Sequence, residues 1–549
     1  MSDMSDISTS SNESPARPRF PRRAVVTCGM PYGNKGLHFG HIGGVFVPAD
    51  IFARFLRDRI GEQNVLLVCG TDCYGSPINE GFRKLQEVAE EEDARPTCNQ
   101  DVAQRIPATI EEYVQQNHDA QAASLKAYDI SLDIFEGSGL GASKEIHSSM
   151  SDWVIRRLHE NGYLKRLDTE QFYDEEAMTF LNGRQVVGRC PVSGCKSEHG
   201  YADECDLGHQ YFPADLIAPV STLSGKPPVM RKVENWYFDL PAFKGLMQDY
   251  VKKLQADGST RKVVSDTIAE FLTDPVIYIK EEFLDGYRAV ASELPPHCYA
   301  TPEGGKKSFE LSFTDYLDRD VARQMLGRAG VQSRSGKALV PFRITGNIEW
   351  GVPCPVIEGL ENLTVWCWPE SLWAPISFTQ RRLLADDGGI SSSGGEVTSS
   401  SVDVVDGVDP GIHAGSSGDL DSNSSPSSSS PNSPNNNTQL PLETLNPNRL
   451  PDPEASWQDF WSDPEAQVYQ FIGQDNIYFY GIAQTAIFAA LPSDHQPSLA
   501  LIPGDIQQTQ LVANYHLQFL NRKASSSSEI KPPMADDLLD YYTAENVLR

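Results

Sequence analysis

A doubly wound α/β unit built on a parallel sheet is the fold class this sequence predicts, and three observations predict it. First, β-prone and helix-prone runs alternate from Val25 to about Ile134. Second, Val65-Leu66-Leu67-Val68-Cys69-Gly70-Thr71-Asp72 reads as a buried parallel strand that ends in a polar pair. Third, the short β-prone run Val25-Val26-Thr27-Cys28 leads into a Pro/Gly/Asn turn. That turn delivers His38-Phe39-Gly40-His41 just as an amphipathic helical pattern, Ile42 to Phe55, begins.

The strand–turn–helix junction carries the chemistry. Unpaired backbone N–H groups and the helix dipole make a helix N-terminus receptive to phosphate. Gly40 has no side chain, so a base or ribose can approach its backbone closely. His38 and His41 flank it, and both imidazoles can donate hydrogen bonds to phosphate oxygens. A helix start with two half-exposed histidines is the plainer reading of the same four residues. Ligands of such sheets sit at the carboxyl ends of the strands, which is where Asp72 falls; a helix cap is its other reading.

Beyond this unit the chain divides into further parts. Residues 1–22 read as a disordered tail, 23–165 as the first half of the α/β domain and 166–242 as an insertion. Residues 243–385 complete the insertion and return to the first domain through a strand-like segment at Thr364 to Phe378; a second strand-like segment, Val468 to Tyr480, follows the next stretch. Residues 386–452 are dominated by Ser, Asn, Gly, Pro and Asp and cannot bury enough apolar surface to offset their ordering entropy, so a disordered loop is expected there; 453–549 closes the domain. No internal repeats are visible.

Composition narrows the class. The chain has 549 residues, 40% hydrophobic and 22% charged, ordinary for a globular protein with several domains. No run of eighteen or more apolar residues predicts a membrane span, and the Ser/Asp/Pro-rich start lacks the apolar core of a secretory signal, so the expected compartment is the cytoplasm. Most of the ten cysteines stand alone, as reduced core residues do. A net charge of −29 argues against a general nucleic-acid coat protein. Part of that charge lies in the low-complexity stretch, where residues 386–448 hold nine Asp/Glu and no Lys or Arg.

Three cysteines do cluster. Cys190-x4-Cys195 is followed by a nine-residue spacer and Cys205-x3-His209. Three thiolates and an imidazole on two turns suit tetrahedral Zn²⁺; His199 could replace His209, and three unrelated cysteines are the plainer alternative.

The run Met30-Pro31-Tyr32-Gly33-Asn34 with His38-Phe39-Gly40-His41 resembles the first signature of class I aminoacyl-tRNA synthetases, and specifically methionyl-tRNA synthetases. The cysteine module resembles the zinc knuckle in the connective insertion of that family, where the second pair is usually two cysteines and the metal is structural. Asp215-Leu216-Ile217-Ala218-Pro219, Ser224 to Arg231 and Trp236 to Phe243 match in register. Trp350-Gly351-Val352-Pro353 and Leu372 to Phe378 look like the strand region lining the methionine pocket. Phe471-Ile472-Gly473-Gln474-Asp475 resembles the Phe-Ile-Gly-Lys-Asp segment, and Arg522-Lys523-Ala524-Ser525-Ser526 stands in place of the Lys-Met-Ser-Lys-Ser loop.

The resemblance implies a Rossmann-like class I synthetase domain that activates an amino acid, methionine foremost, with ATP and Mg²⁺ and transfers it to the acceptor end of tRNA. It assigns ATP to His38, Gly40, His41, Gly473, Asp475 and Lys523, with His38, His41 and Lys523 catalytic. The amino acid falls to Met30, Tyr32, Asp72, Ala374, Pro375, Phe378, Asn476 and Tyr480, with Asp72 facing the α-amino group. tRNA can dock on a local basic patch although the net charge is negative.

Departures from the family pattern bear on specificity. The second loop lysine is Ser526, the aromatic residue that covers the methionine side chain is Ser371, a pocket Ile is Asn476 and a pocket His is Tyr480. An Asn against a thioether is unfavourable unless the substrate hydrogen-bonds to it. The family also continues past the signature loop into an anticodon-binding bundle, whereas this sequence ends at Arg549. A fragment, tRNA recognition without that bundle, and no use of tRNA all fit. Two further readings stay open: a paralogue that activates a different amino acid for a non-tRNA acceptor, and a non-catalytic relative that binds nucleotide or RNA.

Overall fold

The computed structural model describes residues 19–93, 106–181, 183–191, 195–197, 199–202, 205, 211, 213–302, 304, 307–384, 455–520, 522–523 and 531–544. The expected tail up to residue 18, the Ser/Asn-rich stretch, His209 and Ser526 lie outside these residues.

The centre is a five-stranded sheet formed by β1 (Arg23–Cys28), β2 (Val65–Thr71), β3 (Ile134–Gly137), β4 (Ala466–Gly473) and β5 (Gln510–Asn514), in the order β5-β4-β1-β2-β3. Every neighbouring pair is parallel. All seven residues of β2 are buried, because helices cover both faces. Ala24, Val26 and Cys28 join one apolar layer with Phe46, Ala49, Ala53 and Leu56, while Val25 joins the other with Leu372, Ile376 and Phe378. The period of two along β1 thus feeds two cores, the physical content of a doubly wound sheet.

Five helices frame the sheet: α1 (Val47–Ile60), α2 (Ser76–Asp93), α3 (Ile110–Ala127), α4 (Gly141–Glu160) and α5 (Cys367–Leu384). The amphipathic pattern after His41 does become helix, but it is widened. Ile42–Phe46 forms a π-helical turn before α1, at the pair Gly43-Gly44. Among the described residues, Phe39–Ile60 is the one stretch long and apolar enough to cross a membrane by length and composition, and its Ala49, Ala53 and Leu56 face packs into the core.

One expected element is corrected. Thr364 to Phe378 reads as strand-like, yet only Thr364–Val365 is a strand and the rest lies in α5. Nearly every residue of α5 from Cys367 to Thr379 is buried, so no polar face marks a helical period, and Pro375 sits inside it. A buried helix and a buried strand look alike in such a run. Similarly, Val468 to Tyr480 is strand only to Gly473; a 3₁₀ turn (Gln474–Asn476) and a π-helical segment (Tyr478–Ala483) follow.

Between β3 and β4 the chain builds outlying structure. Strands Leu164–Asp174 and Val229–Phe238 form a long antiparallel ribbon, in register from Leu164↔Phe238 to Tyr173↔Val229. A short pair, Val186–Arg189 with Ile217–Ser221, adjoins the cysteine region. Val276–Lys280, Cys298–Ala300, Ser308–Ser312 and Ser333–Ser335 make a four-stranded sheet with its own core around Ile277, Ile279, Phe309 and Leu311.

Candidate active site

The strand order places a topological switch point at β1. The chain proceeds to β2 and β3 on one side and returns through β4 and β5 on the other, so connections at the carboxyl ends of β1 and β4 diverge and leave a crevice. The turn after β1 and the Gly473–Asn476 turn after β4 both open there.

Backbone and side-chain hydrogen bonds fix the first turn. Gly33 N–H donates to the Asp72 carbonyl and Asp72 N–H to the Pro31 carbonyl, each at 2.8 Å, which stitches Tyr32 to the end of β2. Gln121 of α3 donates to the carbonyls of Tyr32 and Lys35, both at 2.8 Å, while its Oε1 accepts from the Thr71 hydroxyl at 2.8 Å. Tyr113 adds a bond to the Asn34 carbonyl at 2.9 Å. A Cβ at Gly33 would lie 2.9 Å from Val114 Cγ1, so the turn reaches α3 only with glycine there.

His38 and His41 meet at the end of this turn. Their rings stack with centroids 3.8 Å apart and an interplanar angle of 27°. Each Nδ1 accepts a backbone hydrogen bond: His38 from Gly40 N–H at 3.0 Å, His41 from His38 N–H at 3.2 Å. An Nδ1 that accepts leaves the proton on Nε2, so both rings present an Nε2–H donor. Burial, with the charge of Lys35, holds His38 down at about 4; burial, then His38 and Lys35, hold His41 down at about 3. The pair therefore consists of neutral donors.

Positive charge comes from around them. Lys35 is lowered first by burial and then by Arg184 and Lys531, so three cations share one field beside the histidine turn. Lys531 is placed there by the segment after the signature loop: Phe39 N–H donates to the Pro533 carbonyl at 3.3 Å, Ala535 N–H to the Leu37 carbonyl at 2.8 Å, and His38 bridges to Met534. Arg522–Lys523 forms a two-residue strand against Gln518–Phe519; the Lys523 side chain lies outside the described residues. Asp475 stands on the other wall, its Oδ1 3.0 Å from His516 Nε2.

Asp72 closes β2 and is 6% exposed. One carboxylate oxygen accepts from Tyr74 N–H at 3.2 Å, an Asx-type cap over the next turn. Burial pushes its pKa well above the carboxylate range, and the charge of Glu370 adds to the rise. Around it stand Tyr32, Cys367 and Tyr480, each raised by burial and then by the acidic neighbours or by one another. Tyr480 is hydrogen-bonded to Ser371, whose hydroxyl donates to the Trp368 carbonyl at 2.9 Å. Met30 is half-buried nearby in the same core.

The expected pocket residues of α5 divide. Ala374, Pro375 and Phe378 are buried, and Phe378 packs on the bare backbone of Gly70, where a Cβ would lie 2.3 Å from its ring. Asn476 is half-buried in the 3₁₀ turn. Three residues that sequence reasoning passed over stand among them. Trp368 stacks on Phe479 at 4.0 Å and 5° and meets Tyr32 edge-on at 6.3 Å, an aromatic cluster three positions before Ser371. Glu370, fully buried, shares a 2.5 Å hydrogen bond with His147 of α4. No local motif links Glu370 to His147, since 223 positions separate them.

In the insertion, the Sγ atoms of Cys190, Cys195 and Cys205 lie within 4.8 Å of one another, with Cys195 and Cys205 at 3.9 Å. Thiolates on a tetrahedral zinc with bonds of about 2.3 Å stand roughly 3.8 Å apart, so the trio has the shape of a metal-binding donor set. Ser197 N–H points at Cys195 Sγ from 3.4 Å, a contact that would stabilise a thiolate. His199 is exposed and stays outside this group.

Comparison with known proteins follows the same outline. A family model described as tRNA synthetases class I (M) matches residues 24–282 and 443–549. The methionine–tRNA ligase of Parabacteroides distasonis is 26% identical over 529 residues, covering 96% of this chain and 52% of that protein. The methionine–tRNA ligase of Cytophaga hutchinsonii is 26% identical over 471 residues, covering 86% of this chain and 46% of that protein. The chain thus spans about half the length of the curated relatives it matches. A solved Mycobacterium tuberculosis methionyl-tRNA synthetase bound by methionyl-adenylate aligns at TM-score 0.43 and 14% identity over 96% of this chain and 63% of that one. The family model covers more than half of the chain, including all five strands of the central sheet, the histidine turn and Asp72, and the chain belongs to the class I tRNA synthetases of its methionyl (M) group.

Proposed function

We propose that this chain activates an amino acid, methionine foremost, by forming its adenylate from ATP, and that the aminoacyl group then passes to the 3′-terminal adenosine of tRNA. The observation that carries this reading is the stacked pair of neutral Nε2–H donors at the switch point, with a buried carboxyl at the end of the adjacent strand. In the first step the substrate carboxylate attacks the α-phosphorus of ATP; the bond to the bridging oxygen of the β-phosphate breaks and pyrophosphate leaves. His38 and His41 donate to phosphate oxygens as charge builds, and Lys35, Lys531 and the loop Lys523 bring positive charge to the leaving group. Gly473 and Asp475 border the ribose, while Asp72 takes the α-ammonium group. Mg²⁺ accompanying ATP would neutralise part of the phosphate charge. Met30, Tyr32, Trp368 and Phe479 give the amino-acid side chain an apolar and aromatic surrounding.

Amino-acid-dependent ATP–pyrophosphate exchange with methionine beside the other standard amino acids tests this reading. Exchange with methionine is the expected result; no exchange with any amino acid from folded protein would overturn it. A second reading, activation of a different amino acid, is favoured by the polar lining of Glu370, Ser371, Asn476 and Tyr480, and exchange with another member of the panel would establish it.

The three cysteines, with His209 as fourth ligand, would hold a structural Zn²⁺ that fixes the tip of the insertion near the acceptor end of tRNA. Replacing Cys190 by serine is expected to release about one zinc per chain, measured by metal analysis after gel filtration. Undiminished zinc in the variant would remove Cys190 from the ligand set. A role in translation would be compatible with a cytoplasmic protein.

A further inference from the structure

Beneath the amino-acid site lies a buried polar chain that the adenylation mechanism above does not use. His147 Nδ1 lies 3.0 Å from the Ser377 hydroxyl, and its Nε2 lies 2.5 Å from Glu370 Oε2. His147 and Glu370 are 0% exposed, Ser377 1% and Asp72 6%. Burial holds His147 down at about 3, so the ring is neutral and one nitrogen donates while the other accepts, joining Ser377 to Glu370. That bond fixes one oxygen of Glu370. The other, Oε1, is buried with no well-formed hydrogen bond among the described residues, on a carboxyl that interacts with Asp72.

Among the described residues no cation contributes to the electrostatics of this pair of carboxyls. The titratable groups set against it are Tyr32 from the first turn, Cys73 and Tyr74 after β2, Cys367 of α5 and Tyr480 of the π-helical segment. Burial raises all of them, so they stay neutral. Among the described residues the base in contact is His147, also neutral. Two carboxyls in such surroundings cannot both ionise without a positive partner, as like charges in a shared site force one to keep its proton. An α-ammonium group is such a partner.

We propose that Glu370, held by His147, is a positioning residue of the amino-acid site: with Asp72 it forms a two-carboxyl receptor for the α-ammonium group, and amino-acid binding expels the proton the pair holds when empty. This inference rests on the amino-acid-activating reading of the same site. The balance is simple. The empty pair holds one proton; the ammonium enters with its charge; the proton leaves to buffer; the bound state contains two carboxylates and one ammonium. Affinity for the amino acid therefore rises with pH for as long as the empty pair still holds that proton; burial raises both carboxyls and so widens this range.

The test uses the full chain and L-methionine. The KM for methionine in ATP–pyrophosphate exchange is measured between about pH 6 and pH 8, and calorimetric titration of methionine is repeated in buffers of different ionisation enthalpy. The wild-type chain is expected to release on the order of one proton per methionine bound, with KM falling close to tenfold per pH unit at the acid end. Glu370→Gln keeps a neutral acceptor for His147 and is expected to lose both the proton release and the pH dependence, with KM raised at least tenfold and kcat changed far less. Glu370→Asp, which keeps the carboxyl, should retain proton release at weaker binding; a structural role alone would not separate these two variants. If Glu370→Gln fails to fold, the wild-type buffer series alone decides, since proton release near zero overturns the proposal. Normal exchange by Glu370→Gln with an unaltered pH profile would overturn it while leaving amino-acid activation standing. Absence of exchange by the wild-type chain with every amino acid would overturn that reading and this inference together.

Discussion

Replacing His41 by alanine is expected to slow amino-acid-dependent ATP–pyrophosphate exchange by about 10²–10³-fold, with the KM for the amino acid little changed. The reason is the state of the ring. His41 is not a cation that attracts ATP from a distance; it is a neutral donor with Nδ1 already committed to His38 N–H at 3.2 Å. Its Nε2–H is therefore aimed by the backbone, at no reorganisation cost when charge develops on the phosphate, and a donor of that kind acts on the transition state more than on ground-state binding. Alanine removes the donor and the acceptor together. His41→Asn separates the two effects, because an amide can still accept from His38 N–H and donate outward. Its exchange rate should fall between wild type and alanine, with an unchanged melting temperature. If folded His41→Ala exchanged within about threefold of wild type, the imidazole pair would have no part in phosphate stabilisation.

The legibility of this site in the sequence follows how local each part is. The histidine turn could be read because strand, turn and helix start are contiguous, and contiguity alone sets where Nδ1 can find a backbone N–H. Asp72 could be read because a buried apolar strand must end somewhere, and a polar pair at its carboxyl end is a ligand position in any doubly wound sheet. The parallel sheet itself was announced by β2, whose apolar run has no polar face to offer solvent.

What could not be read was everything that depends on packing across long separations. α5 looked like strand because burial on all sides erases the helical period, and Pro375 in its middle argued against a helix that tertiary contacts nevertheless impose. With α5 misread, Ser371 appeared to leave the amino-acid site without its aromatic wall. The helix instead turns Trp368 onto Phe479, a stack between residues more than a hundred positions apart. Glu370 was overlooked for the same reason: an isolated acidic residue in an apolar run signals nothing until His147 is seen beneath it. The widening of the helix at Gly43-Gly44 is a further case, since a π-helical turn has no composition of its own beyond tolerance for small residues.

Substitution of Asp72 by alanine is expected to lower kcat/KM for methionine in the exchange reaction by on the order of 10³-fold, mostly through KM, with the KM for ATP unchanged. Two readings of this residue compete, a turn cap and an ammonium ligand, and the structure gives Asp72 the contacts of both. Its oxygen caps Tyr74 N–H at 3.2 Å, while its carboxyl is buried opposite Glu370 with no cation facing it among the described residues. The turn itself does not hang on the side chain: Gly33 N–H to the Asp72 carbonyl and Asp72 N–H to the Pro31 carbonyl, both 2.8 Å, are backbone bonds that any residue retains. Asparagine therefore discriminates. Asp72→Asn preserves an acceptor for Tyr74 N–H but carries no charge, so a cap would survive it and an ammonium ligand would not. Removing a buried charge from opposite a bound ammonium leaves that cation incompletely paired, a loss of about 2–5 kcal/mol, whereas an amide cap replaces a carboxylate cap within about 1 kcal/mol. The asparagine variant should thus resemble alanine in its KM for methionine and resemble wild type in thermal stability. The reverse pattern, near-normal KM with asparagine and loss of stability with alanine, would make Asp72 a structural cap and move the ammonium site onto Glu370 alone.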